Sequence, residues 1–402
     1  MALLPVADAL ARVIESAGAL PAEQLKLDHA QGRVLAEDLA AQRTQPPAAV
    51  SAMDGYAVRA ADIAGAPVDL KLIGEVAAGH PFDGEVKAGQ AARIFTGGVM
   101  PAGADTVVIQ ELTTRDGDSV TVQKPTDKGR NVRARGIDFA QGEVLLRKGR
   151  VLTDRDLMLA AAMNHASLPV HRRPKLAVVG TGDELVRPGA HPGPGEIVYS
   201  NGYAIMALAR AAGADVTDFG ICRDRIDDIA GIVRKARDWH ADILVTSGGA
   251  SVGEHDLVQK ALAAEGLALS FWRVAMRPGR PMMHGRLGAM HVLGVPGNPV
   301  SAYVCAFLFM VPLIARLNGR ADFEHRLLPA RLGCDLPAND ERADYLRAVL
   351  TAGPDGPVAT PLPAQDSSLT APLAKADCLV IREPHASAAA AGSSCVILKL
   401  GL

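Results

Sequence analysis

The sequence has few cysteines, and they are not arranged as a metal site or as a disulfide framework. Only 5 of the 402 residues are cysteine, without a Cys-x-x-Cys pair and without a histidine at zinc-ligand spacing. This excludes a zinc finger and a disulfide-stabilised secreted fold. We interpret the cysteines as buried thiols in a reducing compartment.

Long runs of one charge or of apolar residues are also missing. The net charge is -2 and no block of like charge occurs, so we expect no nucleic-acid partner. The most apolar segment, residues 303–315, carries Pro312 and is too short for a bilayer, which predicts a buried helix and no membrane partner. The N-terminal segment lacks a basic region followed by an apolar core, so we expect no export signal and a cytoplasmic protein.

Two nucleotide-binding signatures are absent. Gly180 and Gly182 follow the first strand of an α/β region, but no third glycine completes a G-x-G-x-x-G motif, and no Walker A sequence occurs. A dinucleotide-dependent dehydrogenase and a P-loop nucleotidase are therefore excluded.

The periodic segments divide the chain into regions of different type. Helical periodicity at residues 5–17 and 154–164 frames short segments at 52–133 that alternate with turns, which predicts an inserted small β domain. From residue 175 strands and helices alternate, which predicts a doubly wound α/β domain with a parallel sheet. From residue 324 short β runs predict a C-terminal β barrel or sandwich. The fold class is thus predicted as multidomain, α/β plus β.

The most informative motif is a glycine-rich turn after a buried strand. The apolar run at 243–245 leads into Gly248 and Gly249, and Ser251 and Asp256 follow in the same loop. Small residues let a ligand approach the backbone, so this composition suits a phosphate-binding loop with a carboxylate at its rim. An ordinary tight turn after a strand is the alternative interpretation.

Charged residues follow the neighbouring strands of the α/β region, where ligands bind beyond the carboxyl ends of an open sheet. The acidic residues are Glu184, Asp224 and Asp256. The basic residues are Arg273, Arg277 and Arg280, and arginine suits tetrahedral oxyanions. Carboxylates beside phosphate usually imply a bridging Mg²⁺, so we expect Mg²⁺-dependent phosphate chemistry with these three carboxylates as the metal neighbourhood. The alternative is that the charges solvate loop ends or pair with each other.

A further loop predicts an anion site at the start of a helix. Pro299 suits a first helical position and Asn298 a cap, with Gly297 before them and Ser301 in the first turn. Free backbone N–H groups at such a helix start attract anions.

Several of these motifs together resemble the MoeA family of molybdopterin molybdenumtransferases, the molybdate insertases that also include the E domain of gephyrin. The resemblance runs nearly end to end. It depends on Ser-Ala-Met-Asp-Gly-Tyr-Ala at 51–57, Thr-Gly-Gly at 96–98, Gly-Thr-Gly-Asp-Glu-Leu at 180–185, the loop at 247–256 and the turn at 296–301.

The resemblance implies four regions and an elongated homodimer. The regions are a discontinuous helical linker domain (1–51 and 134–172), the inserted β domain (52–133), a molybdopterin-binding α/β domain (173–323) and a C-terminal β-barrel domain (324–402). It also implies a composite active site between the α/β domain of one subunit and the β domain of the other. A molybdopterin adenylyltransferase and molybdoenzyme apoproteins are further partners that it suggests.

The reaction implied by the resemblance takes adenylylated molybdopterin (molybdopterin-AMP) and molybdate, releases AMP and ligates molybdenum to the dithiolene sulfurs, with Mg²⁺. The implied catalytic residues are Asp54, Thr96 and Asp138 from the partner side, with Glu184 and Asp256. The implied substrate-binding residues are Gly248, Gly249, Ser251, Arg273, Arg277, Arg280, Gly297, Asn298, Ser301, Arg347 and Ser367.

The chain departs from the family pattern in two places, and two other functions are alternatives. Arginine stands at 273, 277 and 280 where the family commonly has lysine, so an oxyanion role survives and a neutral-amine role does not. The segment around Ser367 follows the family's serine-rich pattern only loosely.

A molybdopterin adenylyltransferase would not need the β domain with Asp54 and Thr96, and a gephyrin-like scaffold would tolerate loss of the charged residues that follow the strands of the α/β region. Molybdate and tungstate are tetrahedral dianions of similar size, so the sequence does not separate them.

Overall fold

The computed structural model describes residues 3–248 and 257–401. The chain begins with the amphipathic helix α1 (Val6–Glu15), followed by the short strands β1 (Ala22–Lys26), β2 (Leu39–Ala40) and β3 (Val50–Ser51). The buried residues of α1, Ala9 and Val13, pack in the core of the α/β domain. The helix therefore lies on that domain, although the predicted boundaries group it with the linker.

The inserted β domain is a six-stranded sheet with both faces covered. Its strands are β4 (Gly55–Val58), β5 (Val68–Val76), β6 (Gln90–Ile94), β7 (Thr106–Ile109), β8 (Thr113–Asp116) and β9 (Ser119–Val122), in the order β7-β4-β6-β5-β9-β8. Successive side chains point to opposite faces of a strand, so Tyr56 and Val58 enter one hydrophobic cluster and Ala57 enters the other. The predicted β insertion is confirmed.

After the insertion, the chain forms strands that pair with the strands before the insertion. These are β10 (Val132–Arg133), β11 (Val144–Leu146) and β12 (Ser167–His171), with the helix α2 (Asp154–Ala162) before β12. In antiparallel pairs β10 joins β3, β11 joins β2 and β12 joins β1. Of the described elements in this region, only α2 is an α-helix, so the linker is less helical than predicted. Pairing across an insertion of this length leaves no local periodicity in the sequence.

The α/β domain contains a mixed sheet. Its strands and helices are β13 (Lys175–Thr181), β14 (Leu185–Val186), β15 (Ile197–Val198), α3 (Asn201–Ala211), β16 (Asp215–Cys222), α4 (Ile226–Asp238), β17 (Ile243–Ser247), α5 (Leu257–Ala264), β18 (Ala268–Trp272), β19 (Met276–Arg277), β20 (Met283–Leu287) and β21 (Met290–Val295). The order in the sheet is β16-β13-β17-β21-β20-β18. The prediction of a parallel sheet is correct for β16, β13, β17 and β21. It is wrong for β20, which runs antiparallel to both of its neighbours.

A long apolar helix, α6 (Pro299–Leu317), crosses the core of the α/β domain. Among the described residues it is the one helix long and apolar enough to cross a membrane by length and composition. However, 89% of its most apolar window is buried inside the protein, as expected for a core helix. The apolar segment 303–315, predicted as a buried helix, lies within it, and a π-helical turn at Ala306–Met310 interrupts the α-helix.

The C-terminal region is a closed five-stranded barrel. It contains β22 (Leu327–Leu332), β23 (Ala343–Gly353), β24 (Gly356–Pro361), α7 (Thr370–Lys375), β25 (Cys378–Arg382) and β26 (Ser394–Lys399). β23 pairs with both β24 and β25, which closes the ring through β22 and β26. β19 adds to β23 in parallel and so ties the barrel to the α/β domain. The predicted C-terminal barrel is confirmed.

Candidate active site

The acidic loops after β13 and β16 lie side by side. The N–H of Gly182 donates to the carbonyl of Cys222 at 3.2 Å, and the N–H of Asp224 donates to Oδ1 of Asp183 at 3.3 Å. The carboxylate of Glu184 folds back over Gly182, where a Cβ would lie 2.5 Å from its Oε2. The structure therefore brings the predicted loops of Glu184 and Asp224 together at the carboxyl ends of adjacent strands.

Gly248 begins the glycine-rich loop in a conformation that only glycine fits. Its φ is +104°, and a Cβ would lie 2.2 Å from the carbonyl oxygen of Thr181. Its N–H donates to the carbonyl of Val295 at 3.2 Å, and a Cβ built on Gly297 would lie 3.8 Å from the Cα of Gly248. The predicted loop and the predicted helix start are thus neighbours. The other predicted residues of this loop, Gly249, Ser251 and Asp256, lie outside the described residues.

Asn201 joins these two loops and was not among the predicted site residues. Its Nδ2 donates to Oγ of Ser247 at 2.9 Å and to the carbonyl of Gly297 at 2.7 Å. One side chain therefore fixes the end of β17 against the turn before α6. Its only sequence signal is its place at the start of α3, in the region where strands and helices alternate.

A segment of the barrel covers the start of α6. Asn298 stands at the N-cap position, and Pro299 is in the first turn as predicted, but the Asn298 side chain makes no capping hydrogen bond. Its Nδ2 donates instead to Oγ of Ser367 at 2.9 Å, and the N–H of Val300 donates to the carbonyl of Ser367 at 3.0 Å. Asn298 thus occupies the predicted cap position without capping the helix through its side chain, because the carbonyl of Ser367 accepts the Val300 N–H that such a cap would bind. Ser301, in the same first turn, is buried.

Arg347 is a fully buried guanidinium with unused donors. Its exposed fraction is 0%, and Nη2 donates to the carbonyl of Ala364 at 3.1 Å. Within the described residues, Nε and Nη1 have no hydrogen-bond partner. Burial lowers the pKa of Arg347, and the negative charge of Asp366 acts in the opposite direction. Buried donors without partners are costly, so this arginine is arranged to receive an acceptor such as an oxyanion.

The three arginines of the predicted oxyanion clamp are in different environments. Arg277 is already paired, because Nε donates to Asp344 at 2.8 Å and Nη1 to Asp340 at 3.2 Å. The hydrogen bond to Asp344 raises the pKa of Arg277. Arg273 has a φ of +88° and its guanidinium lies 4.7 Å from the ring centroid of Trp272, whereas Arg280 is exposed. In this arrangement Arg277 ties the barrel to the α/β domain, and two carboxylates of the barrel accept its hydrogen bonds.

In the β domain, Asp54 and Thr96 form a direct pair. Oδ1 of Asp54 accepts the Thr96 N–H at 2.7 Å and the Thr96 hydroxyl at 2.8 Å. The backbone and then the side-chain hydrogen bond from Thr96 lower the pKa of Asp54. Asp138 lies on an exposed loop whose N–H donates to the Gln45 carbonyl at 3.1 Å. No hydrogen bond or ion pair joins Asp138 to Asp54 in the ranges that the structure covers.

The predicted metal neighbourhood is only partly within the described residues. Across 3–248 and 257–401, no group of three or more His, Cys, Asp or Glu side chains is arranged to hold a metal ion. Glu184 and Asp224 supply two carboxylates on adjoining loops, and oxygen donors of this kind suit a hard cation such as Mg²⁺. The donor chemistry of these two residues therefore fits the ion.

These features define a multidomain protein that combines a ligand-binding α/β domain with an inserted β domain and a closed barrel, as in molybdopterin-processing proteins. Three family descriptions match the chain: MoeA N-terminal region (domain I and II) at 4–164, probable molybdopterin binding domain at 177–316 and MoeA C-terminal region (domain IV) at 329–400. The chain belongs to the MoeA family of molybdopterin molybdenumtransferases.

Individual relatives agree with this assignment. A Haemophilus influenzae protein named molybdopterin molybdenumtransferase is 32% identical over 93% of this chain and 93% of its own length. A Nostoc sp. protein of the same name is 37% identical over 79% of this chain and 74% of its own. A crystal structure of a molybdopterin biosynthesis MoeA protein from Pyrococcus horikosii has a TM-score of 0.87 at 30% identity, with 100% of both chains covered. The predicted class, a transferase of molybdenum cofactor biosynthesis, is therefore confirmed at the level of the family.

Proposed function

We propose that this chain inserts molybdate into adenylylated molybdopterin, with cleavage of the phosphoanhydride and release of AMP. The observation that carries the proposal is the Asp54–Thr96 pair in the β domain. An activity of the α/β domain alone, such as adenylylation of molybdopterin, has no need of an ionised carboxylate built into a separate domain. The end-to-end similarity to proteins named molybdopterin molybdenumtransferase supports the same choice.

The α/β domain and the barrel would hold the substrate. Gly248 and Gly297 leave their backbones open to the phosphates, and Asn201 keeps the two loops at a fixed spacing. Arg347 would donate its free Nε and Nη1 to an oxyanion, because guanidinium donors match tetrahedral oxygens. Ser367, held by Asn298, would add a hydroxyl beside the same anion.

Asp54 would hold the water molecule that cleaves the anhydride, or accept the proton that this cleavage releases. An ionised carboxylate only accepts hydrogen bonds, so it repels molybdate and the phosphates and attracts a water molecule. Thr96 uses both of its donors on Oδ1, which leaves Oδ2 for that water. Mg²⁺, held by Glu184 and Asp224 with Asp256, would neutralise phosphate charge when bound.

The site would be shared between two subunits of a homodimer in the cytoplasm. In that arrangement Asp54, Thr96 and Asp138 of one subunit face Glu184 and the glycine loops of its partner. An adenylyltransferase that supplies the adenylylated pterin and the apoproteins that receive the cofactor would be its transient partners.

Supplying two alternative substrate pairs tests the reaction. With adenylylated molybdopterin and molybdate, we expect release of AMP and formation of molybdenum cofactor, measured by nucleotide chromatography and by reconstitution of an apo-molybdoenzyme. With ATP and molybdopterin, we expect no adenylylation. Adenylylation in the second mixture would refute the proposal and identify the chain as an adenylyltransferase.

Mixing two inactive variants tests the shared site. We expect Asp54→Asn and Glu184→Gln each to be inactive alone. After subunit exchange, half of the dimers are mixed, and each mixed dimer holds one intact site, so activity should recover to about a quarter of that of the natural chain. A mixture that stays inactive after exchange, shown by mass spectrometry of the dimers, would place the whole site within one chain.

A further inference from the structure

Arg93, on β6, lies beside Asp54 and belongs to no predicted site. Its Nη1 donates to the carbonyl oxygen of Gly55 at 3.1 Å, and its Nη2 donates to Oε1 of Gln110 at 2.8 Å. Two different segments of the β domain are therefore joined through one guanidinium.

Two aromatic rings hold the same guanidinium. Its central carbon lies 5.1 Å from the ring centroid of Tyr56 and 4.8 Å from that of Phe95. Cation–π contacts of this kind favour arginine, because its flat group stacks on rings while it donates at the edges. The side chain of Arg93 is thus fixed by four neighbours at once.

These contacts surround the residue pair proposed to be catalytic. The carbonyl of Asp54 accepts the Gln110 N–H at 3.1 Å, and Arg93 holds the Gln110 side chain. The next carbonyl in the chain, that of Gly55, accepts directly from Arg93. Thr96 directly follows Phe95, the ring on which the guanidinium lies.

We propose that Arg93 is a positioning residue that holds Asp54 and Thr96 in the geometry needed for molybdate insertion. The inference rests on the proposed function of Asp54 and adds a residue that acts through it. Arg93 would act through the main chain that follows the Asp54 side chain, at the carbonyls of Asp54 and Gly55, and through Phe95, the residue before Thr96.

The charges around Asp54 and Thr96 allow a second measurement that needs no substrate. The positive charge of Arg93 adds to the hydrogen bonds from Thr96 in lowering the pKa of Asp54. Glu75 stands beside Arg93 in register on β5, and Glu111 follows Gln110 in the chain. Because the Thr96 N–H donates to Asp54, its amide resonance in protein labelled with ¹⁵N-threonine reports ionisation of that carboxylate.

The variants Arg93→Gln and Arg93→Lys test the inference, with Arg115→Gln as matched control. Arg115 is an exposed arginine of the same domain whose Nε donates to the Gly117 carbonyl. For Arg93→Gln we expect kcat to fall about 10- to 100-fold with KM for molybdate within about twofold, because positioning errors act on the transition state. The pH midpoint of the change in the Thr96 amide resonance, which reports ionisation of Asp54, should be higher than in the natural chain. The control should change neither quantity.

Arg93→Lys separates geometry from charge and covers the case in which Arg93→Gln does not fold. Lysine keeps the charge but lacks the fork, so the Thr96 amide should titrate near its natural midpoint while kcat still falls. Natural kcat in Arg93→Lys, or an unchanged kcat and an unchanged Thr96 amide in Arg93→Gln, would overturn the inference. If the protein proves not to insert molybdate, the amide titration still distinguishes that failure from a failure of the Arg93–Asp54 coupling.

Discussion

Arg347→Met is expected to give a protein that is more stable and far less active than the natural chain. The guanidinium is fully buried on β23 with two unused nitrogens. Replacing a buried ion pair by apolar side chains of similar volume is often neutral or stabilising by about 1–4 kcal/mol, and loss of a buried guanidinium with unused donors should act in the same direction. The same nitrogens are the proposed oxyanion donors, so turnover should fall by about 100-fold or more. Calorimetric unfolding and AMP release measure the two effects.

Arg331→Met is the control for these opposite effects on stability and turnover. Arg331 lies on β22 of the same barrel, is exposed and donates to the carbonyl of Gly392 at 3.3 Å. Its replacement should leave turnover and unfolding temperature close to those of the natural chain. If Arg347→Met instead lowered the unfolding temperature, the contact with Ala364 would outweigh the cost of the buried charge, and the arginine would be structural.

Gly248→Ala is expected to abolish most of the activity by displacing the glycine-rich loop. A Cβ at this position would lie 2.2 Å from the Thr181 carbonyl oxygen, which is backbone and cannot rotate away. The positive φ adds strain of about 1–3 kcal/mol. Because Gly248 also lies against the turn at Gly297, its shift should disturb both loops proposed to bind the phosphates and reduce turnover by about 100-fold.

Gly266→Ala separates strain from collision. Gly266 has a φ of +90° with no atom within 4 Å of a Cβ, so alanine there meets the same backbone strain without the contact. We expect both variants to unfold at a lower temperature, with the larger decrease in Gly248→Ala, but loss of turnover only in Gly248→Ala. Equal turnover of the two variants would show that the loop does not need its present position.

The sequence predicted elements well where a local pattern was enough. The alternating α/β region could be predicted because strands such as β21 are continuous runs of mostly apolar, buried residues. β18 and β20 were missed because they mix polar and apolar residues, with an exposed start in β18 and an arginine in β20. The mixed sheet could not be predicted without these two strands.

The site was harder to predict because its geometry depends on residues far apart in the chain. Arg277 was chosen for its chemistry, but Asp344, distant in sequence, takes its donors. Asn298 was placed correctly at a helix start, and only the folded barrel brings Ser367 to its side chain. Asn201 and Arg93 act through main-chain carbonyls, and such partners leave no mark on residue type.

The β domain is attached by a single ribbon, in which β3 and β2 run out and β10 and β11 run back beside them. Both ends of the insertion thus leave the rest of the chain side by side, and this two-stranded ribbon carries the six-stranded sheet. Asp54 lies three residues after the end of β3, at the base of the sheet, so any bend of the ribbon would move it directly. The stiffness of this ribbon, and not the residue types in the active site, would then govern how accurately the two halves of the proposed shared site meet.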